Sequence, residues 1–93
     1  MVRHILFVQG AGEEVHEKWD SKLVDSLRRE LGPGHEIRYP LMPNEADPTF
    51  ATWQMALDKE LATVQNGAVV VGHSLGGTIL INTLRRACLT AAC

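Results

Sequence analysis

Cysteine is almost missing from this chain: there are two, Cys88 and Cys93, both within the last six residues. A disulfide between them would close a loop too small to constrain the unfolded chain much, so they read as free thiols and not as a stabilising framework. As a C-x4-C pair they would supply two metal ligands at most, with His4, His16, His35 and His73 far away in sequence, so neither a metal nor any other cofactor is implied. A basic excess is also lacking. Nine Lys and Arg stand against eleven Asp and Glu, a formal net charge of -2, which offers no long-range attraction to a phosphate backbone or an anionic bilayer. Nucleic acid and membrane surfaces are therefore poor partners. The longest nearly apolar stretch, Gly67 to Leu84, is interrupted by His73, Ser74, Gly72, Gly76, Gly77 and Asn82 and cannot span a bilayer. The opening Met1 to Val8 has one Lys or Arg, a very short apolar run and no small-residue cleavage site, so no secretory leader is read and a cytoplasmic setting is expected. Carboxylates are absent after Glu60, a gap that matters below.

What is present fits an ordinary folded domain. Ninety-three residues, 45% apolar and 22% charged, suffice for one core and not for two, so residues 1–93 are expected to form a single domain. His4 to Gln9 carries the run Ile-Leu-Phe-Val, the pattern of a strand covered on both faces. Gly10-Ala11-Gly12 ends it. Trp19, Leu23, Leu27 and Leu31 then recur every fourth residue among charges, an amphipathic helix stopped by Gly32-Pro33-Gly34. Glu36 to Tyr39 reads as a second strand, and a loop from Pro40 to Pro48 follows. Thr49 is positioned to cap a helix whose Phe50, Trp53, Leu57, Leu61 and Val64 share one face, with Asn66-Gly67 as its stop. Ala68 to Val71 is a third strand, and a helical pattern resumes at Ser74. The order β-α-β-α-β-α predicts an α/β fold: a short parallel sheet between helices on both faces, in three layers.

Gly72-His73-Ser74-Leu75-Gly76 matches G-x-S-x-G directly after an apolar strand and directly before a helix, the frame in which that pattern presents a nucleophilic serine. A match of those three residues somewhere in a chain this long arises by chance at roughly 3%, before the strand-turn-helix frame is required. The chemistry asks for these residue types. A sharp turn at Ser74 needs neighbours without side chains, which Gly72 and Gly76 provide, and a serine at a helix N-terminus lies beside unpaired amides and the positive dipole end. The plainer alternative is that Ser74 only caps the helix while the glycines serve packing.

Gly10-Ala11-Gly12 follows the first strand and so shares one edge of a parallel sheet with Ser74, where an amide from Ala11 could join that of Leu75 in an oxyanion hole. A simple strand-to-helix turn explains the same residues. A dinucleotide loop does not, because the third glycine would fall at Val15 and Glu13 and Glu14 would repel a pyrophosphate.

Val69 to Thr78, V-V-V-G-H-S-L-G-G-T, resembles the nucleophile elbow of the α/β-hydrolase superfamily. With Gln9 to Gly12, Trp19 and the Pro40 to Pro48 loop leading to Trp53, the chain is similar to small bacterial serine hydrolases of the retinoblastoma-binding-protein-9-like and YdeN-like kind. The resemblance runs over about Arg3 to Arg86 and corresponds to the N-terminal half of such a fold, a truncated α/β-hydrolase. It implies that Ser74 is the nucleophile forming an acyl-enzyme with carboxylic esters or related acyl substrates, with Leu75 and Ala11 as the oxyanion amides. Gln9-Gly10 stands where many relatives have His-Gly, leaving that backbone role intact. The family's acid and histidine follow the serine in chain order, whereas Leu75 to Cys93 contain no Asp, Glu or His. His73 is expected to bond beside the turn and His16 to be a solvated loop residue, each a weaker candidate base. Without further strands the Val69–Gly72 strand would present a bare edge, expected to recruit a second copy or a completing segment. The alternative function is thus a catalytically inactive binding or assembly module.

Overall fold

The computed structural model of the chain describes residues 3–63 and 68–90, with side chains up to residue 85. Three strands, β1 (Arg3–Val8), β2 (His35–Arg38) and β3 (Val69–Gly72), form one sheet in the order β2-β1-β3. Both pairings are parallel: Ile5 lies opposite Ile37 on one side and Val69 on the other. Helices α1 (Asp20–Leu31), α2 (Phe50–Thr63) and α3 (Leu75–Thr90) follow the strands in turn, and a π-helical turn, Val15–Trp19, leads into α1. The expected α/β fold with a short parallel sheet is present.

The strand order decides where the helices go. From β1 the chain steps outward to β2, then returns across β1 to β3, so two right-handed crossovers in opposite directions put α1 and α2 on opposite faces. The alternation of β1 matches this. Leu6 and Val8 point to one face and join Met42, Trp53, Leu57, Ile79 and Leu80 in one buried cluster with α2 and α3. Ile5 and Phe7 point to the other, where Phe7 meets the ring of Tyr39 edge-on. A strand buried on both faces cannot alternate polar with apolar, which explains its continuous apolar run. Each large side chain fully buried here contributes about 1.5–3 kcal/mol over its exposed state.

Boundaries moved by about a residue. Gln9 lies just past β1 yet is fully buried, because its amide has work there: Nε2 donates to Glu45 (2.8 Å) and to the Gly10 carbonyl (3.1 Å), and Oε1 accepts from Met42 N–H (2.7 Å). Thr49 caps α2 as expected, its hydroxyl accepting from Thr52 N–H at 3.3 Å. Trp53 is buried and donates its indole N–H to the Pro43 carbonyl (2.8 Å), tying the Pro40–Pro48 loop to the core. Helix α1 differs from its sequence pattern. Trp19 and Leu23 are exposed, and the buried positions are Asp20 and Val24, one residue further round. Phe50 is exposed as well. Val64, the Asn66-Gly67 stop and Cys93 lie outside the described residues, as does the side chain of Cys88.

Candidate functional site

Because the strands are parallel, their C-terminal ends share one edge, from which the connections to the three helices depart. Glu14, Asn44 and Ser74 are the non-glycine residues with positive φ among the described residues, at 61°, 50° and 56°. One belongs to each strand-to-helix connection. Left-handed backbone at a residue bearing a Cβ is costly, and its concentration on one edge is characteristic of functional sites.

Ser74 is the second of the two residues between β3 and α3 and is exposed. His73 N–H is held by the Val8 carbonyl (3.1 Å), so the bend is fastened to the end of β1. The start of α3 is closed by main-chain bonds, Gly76 N–H to the His73 carbonyl (3.1 Å) and Thr78 N–H to the Ser74 carbonyl (3.2 Å). Among the described residues the Ser74 hydroxyl has no hydrogen-bond partner. It therefore does not act as a side-chain cap, and its φ lies outside the extended region that capping residues adopt.

Two glycines make this bend possible. A methyl group on Gly76 would overlap the Gln9 carbonyl oxygen and stand 2.9 Å from that of Val8, both backbone atoms of the neighbouring segment. One on Gly72 would collide with the backbone of Gly77. The helix thus starts closer to β1 and β3 than any side chain permits. Gly10 does the same from the other side: a Cβ there would be 3.0 Å from His73 Nδ1 and 3.3 Å from Ser74 Cβ. The turn after β1 and the bend after β3 are in van der Waals contact.

The amides of this region divide into occupied and open ones. Gly10 N–H donates to the Asp20 carboxylate (2.6 Å) and Gly12 N–H to the Glu45 carbonyl (2.7 Å). Between them, Ala11 N–H has no acceptor among the described residues. Leu75, the first residue of α3, is one of the positions whose N–H has no partner within a helix. Ala11 and Leu75 therefore carry open amides on two segments that touch at Gly10.

None of the four histidines reaches the Ser74 hydroxyl. His16 stacks on Tyr39 with ring centroids 3.9 Å apart, places Nε2 3.1 Å from the Tyr39 carbonyl, and accepts the Tyr39 hydroxyl on its own carbonyl (2.5 Å). It is thereby built into the loop. His4 faces Glu36 at 3.8 Å, and His35 Nδ1 lies 3.0 Å from the Leu31 carbonyl, both away from the bend. His73 bonds beside the turn, its Nδ1 3.0 Å from Asp20 Oδ1 and 3.3 Å from Oδ2. Burial raises the Tyr39 phenol above its ordinary range, and the Asp20 and Glu45 charges push it the same way.

Asp20 escaped the sequence reading. Between Trp19 and Leu23 it looks like one more solvated charge on an amphipathic helix, yet it is 1% exposed. The only available signal was its place at the first position of the helix, where a carboxylate suits the dipole. No group of three or more His, Cys, Asp or Glu side chains capable of holding a metal occurs among the described residues, and none of the described helices is long and apolar enough to cross a membrane.

A parallel α/β sheet with an exposed serine on a strained strand-to-helix bend is an architecture suited to nucleophilic catalysis. The family comparison agrees: the sequence model of a family described as serine hydrolase matches residues 5–92, and the chain belongs to that family. No curated protein and no solved structure matches at the significance required.

Proposed function

We propose that the chain carries the nucleophile of an α/β-hydrolase-type serine hydrolase acting on carboxylic esters or related acyl substrates in the cytoplasm, as its resemblance to the retinoblastoma-binding-protein-9-like and YdeN-like hydrolases suggests. The observation that supports this most is the exposed Ser74 at φ 56° in direct contact with the Gly10 turn. In the proposed reaction Ser74 Oγ attacks the acyl carbon and gives its proton to a base, while the carbonyl π electrons move onto oxygen. The Ala11 and Leu75 N–H groups stabilise that oxyanion. Its collapse expels the alcohol, which takes a proton from the conjugate acid, and water then hydrolyses the Ser74 ester by the same steps. Gly72 and Gly76 serve by letting the bend form. No described residue hydrogen-bonds the Ser74 hydroxyl, and Leu75 to Cys93 supply neither His nor carboxylate, so in this reading the 93-residue chain reacts slowly, on the strength of its oxyanion amides.

A fluorophosphonate probe tests this. Labelling of the purified chain is expected to be slow, to accelerate with added imidazole as a surrogate base, and to disappear in Ser74→Ala. Equal labelling of the wild type and Ser74→Ala, with or without imidazole, would refute it.

A second reading, a catalytically inactive binding or assembly module, is favoured by one observation. β3 pairs only with β1 among the described residues, Val69 on it is 47% exposed, and Ile81 and Leu84 on α3 are exposed too. Such an edge invites a second copy or a completing strand along Val69–Gly72. Sedimentation separates the cases: a dimer that survives dilution supports association, and a monomer throughout the micromolar range opposes it.

A further inference from the structure

The buried carboxylate of Asp20 bonds to the Gly10 turn and to His73, the residue before Ser74, and the proposed reaction assigns it no part. It sits at the first residue of α1 and is almost completely buried, but it satisfies two other elements rather than its own helix. Oδ2 accepts the Gly10 N–H at 2.6 Å, a short charge-assisted bond, and Oδ1 lies 3.0 Å from His73 Nδ1. These partners are 10 and 53 residues away in sequence. Carboxylate oxygens accept, so in this contact it is the His73 Nδ1–H that donates to Asp20.

The geometry around Ala11 shows what this bridge accomplishes. The amides on either side of Ala11 are both tied down, Gly10 to Asp20 and Gly12 to the Glu45 carbonyl, which leaves the Ala11 N–H as the open one in the turn. On the opposite segment, His73 is held by Asp20 through its ring and by the Val8 carbonyl through its N–H. One carboxylate therefore grips the residue before Ala11 and the residue before Ser74. We propose that Asp20 is a positioning residue, whose bridge between Gly10 and His73 sets the separation of the two backbone segments carrying the open Ala11 and Leu75 amides. It touches no substrate. Its catalytic consequence rests on the hydrolase reading of Ser74, whereas the bridge itself does not, and the test treats the two apart.

Backbone amide NMR spectra of the full chain, wild type and Asp20→Asn, read the bridge without any activity. Asn keeps the shape but loses the charge, and its NH2 group cannot accept from His73 or Gly10. Displacement of the Gly10, Ala11, Ser74 and Leu75 signals, with those of β2 and α2 unmoved, is expected. A change confined to Gly10 and His73 overturns the positioning role. Should Asp20→Asn fail to fold, His73→Gln, at a half-exposed side chain, cuts one arm only: the Leu75 signal must then move while the Gly10 amide stays protected from exchange by its bond to Asp20, and an unmoved Leu75 signal refutes the bridge. Fluorophosphonate labelling with imidazole adds the functional arm, where Asp20→Asn is expected to slow Ser74 labelling about 100-fold, the scale of an ångström-level misplacement. An unchanged labelling rate removes the catalytic consequence. A wild type that never labels at Ser74 defeats the hydrolase reading and leaves the spectral result to stand or fall separately.

Discussion

Replacing Ser74 with glycine should make the protein more stable, although it deletes the residue proposed to do the chemistry. Ser74 sits at φ 56°, where a residue bearing a Cβ carries a penalty of about 1–2 kcal/mol. Its hydroxyl has no partner among the described residues, so its removal forfeits no hydrogen bond. Ser74→Ala keeps the Cβ and the penalty, and its stability should stay within about 0.5 kcal/mol of wild type. Ser74→Gly relieves the penalty and returns about 0.4–1 kcal/mol through the greater freedom of glycine in the unfolded chain. The difference leaves Ser74→Gly ahead of Ser74→Ala by about 0.8 kcal/mol, or roughly 3–6 °C in Tm for a chain of this size. Thermal melts of the three proteins followed by far-UV circular dichroism, checked by urea titration, measure this directly. A Ser74→Gly protein no more stable than Ser74→Ala would refute the reasoning, because the bend would then not be strained. If it holds, the trade of stability for an exposed hydroxyl is the signature expected of a nucleophile and not of a surface serine.

Gly76→Ala must force α3 away from the Gln9 and Val8 carbonyls; since backbone atoms cannot yield as a flexible side chain does, a loss of about 3 kcal/mol or more is expected in urea titrations, the upper end for overpacking. Trp53→Ala empties the centre of the cluster and orphans the Pro43 carbonyl; the expected loss of about 3–5 kcal/mol should abolish near-UV dichroism and cooperative melting. Alkaline pH should destabilise the fold through Tyr39. Its phenol is raised by burial and by the Asp20 and Glu45 charges, so above about pH 10 the unfolded chain releases that proton before the folded one and stability falls as pH rises. Urea midpoints at pH 9 and pH 11 check this, and Tyr39→Phe should flatten the dependence while losing the bond to the His16 carbonyl.

Much of the architecture was legible because it rests on local patterns. The apolar runs of β1 and β3, the Thr49 cap and the alternation of strand with helix are set by residues close in sequence, and parallel pairing follows from that alternation. The G-x-S-x-G frame was legible for the same reason, since a strand, a bend and a helix are consecutive. The face of α1 was not. Its stripe of Trp19, Leu23, Leu27 and Leu31 is the stronger local pattern, yet Asp20 and Val24 are buried, because a helix is rotated by whatever best satisfies its neighbours, and here a carboxylate with two donors outweighs an exposed indole.

Periodicity and the glycine spacing therefore determined the fold class and singled out Ser74, each being a property of a few successive residues. Tertiary structure alone decided that Gly10 lies against His73 and Ser74, that Gln9 and Glu45 organise the loops, and that Asp20 joins segments 10 and 53 residues away. Such contacts depend on how far apart the ends of different strands lie and in what order they pair, quantities that exist only after the chain has folded.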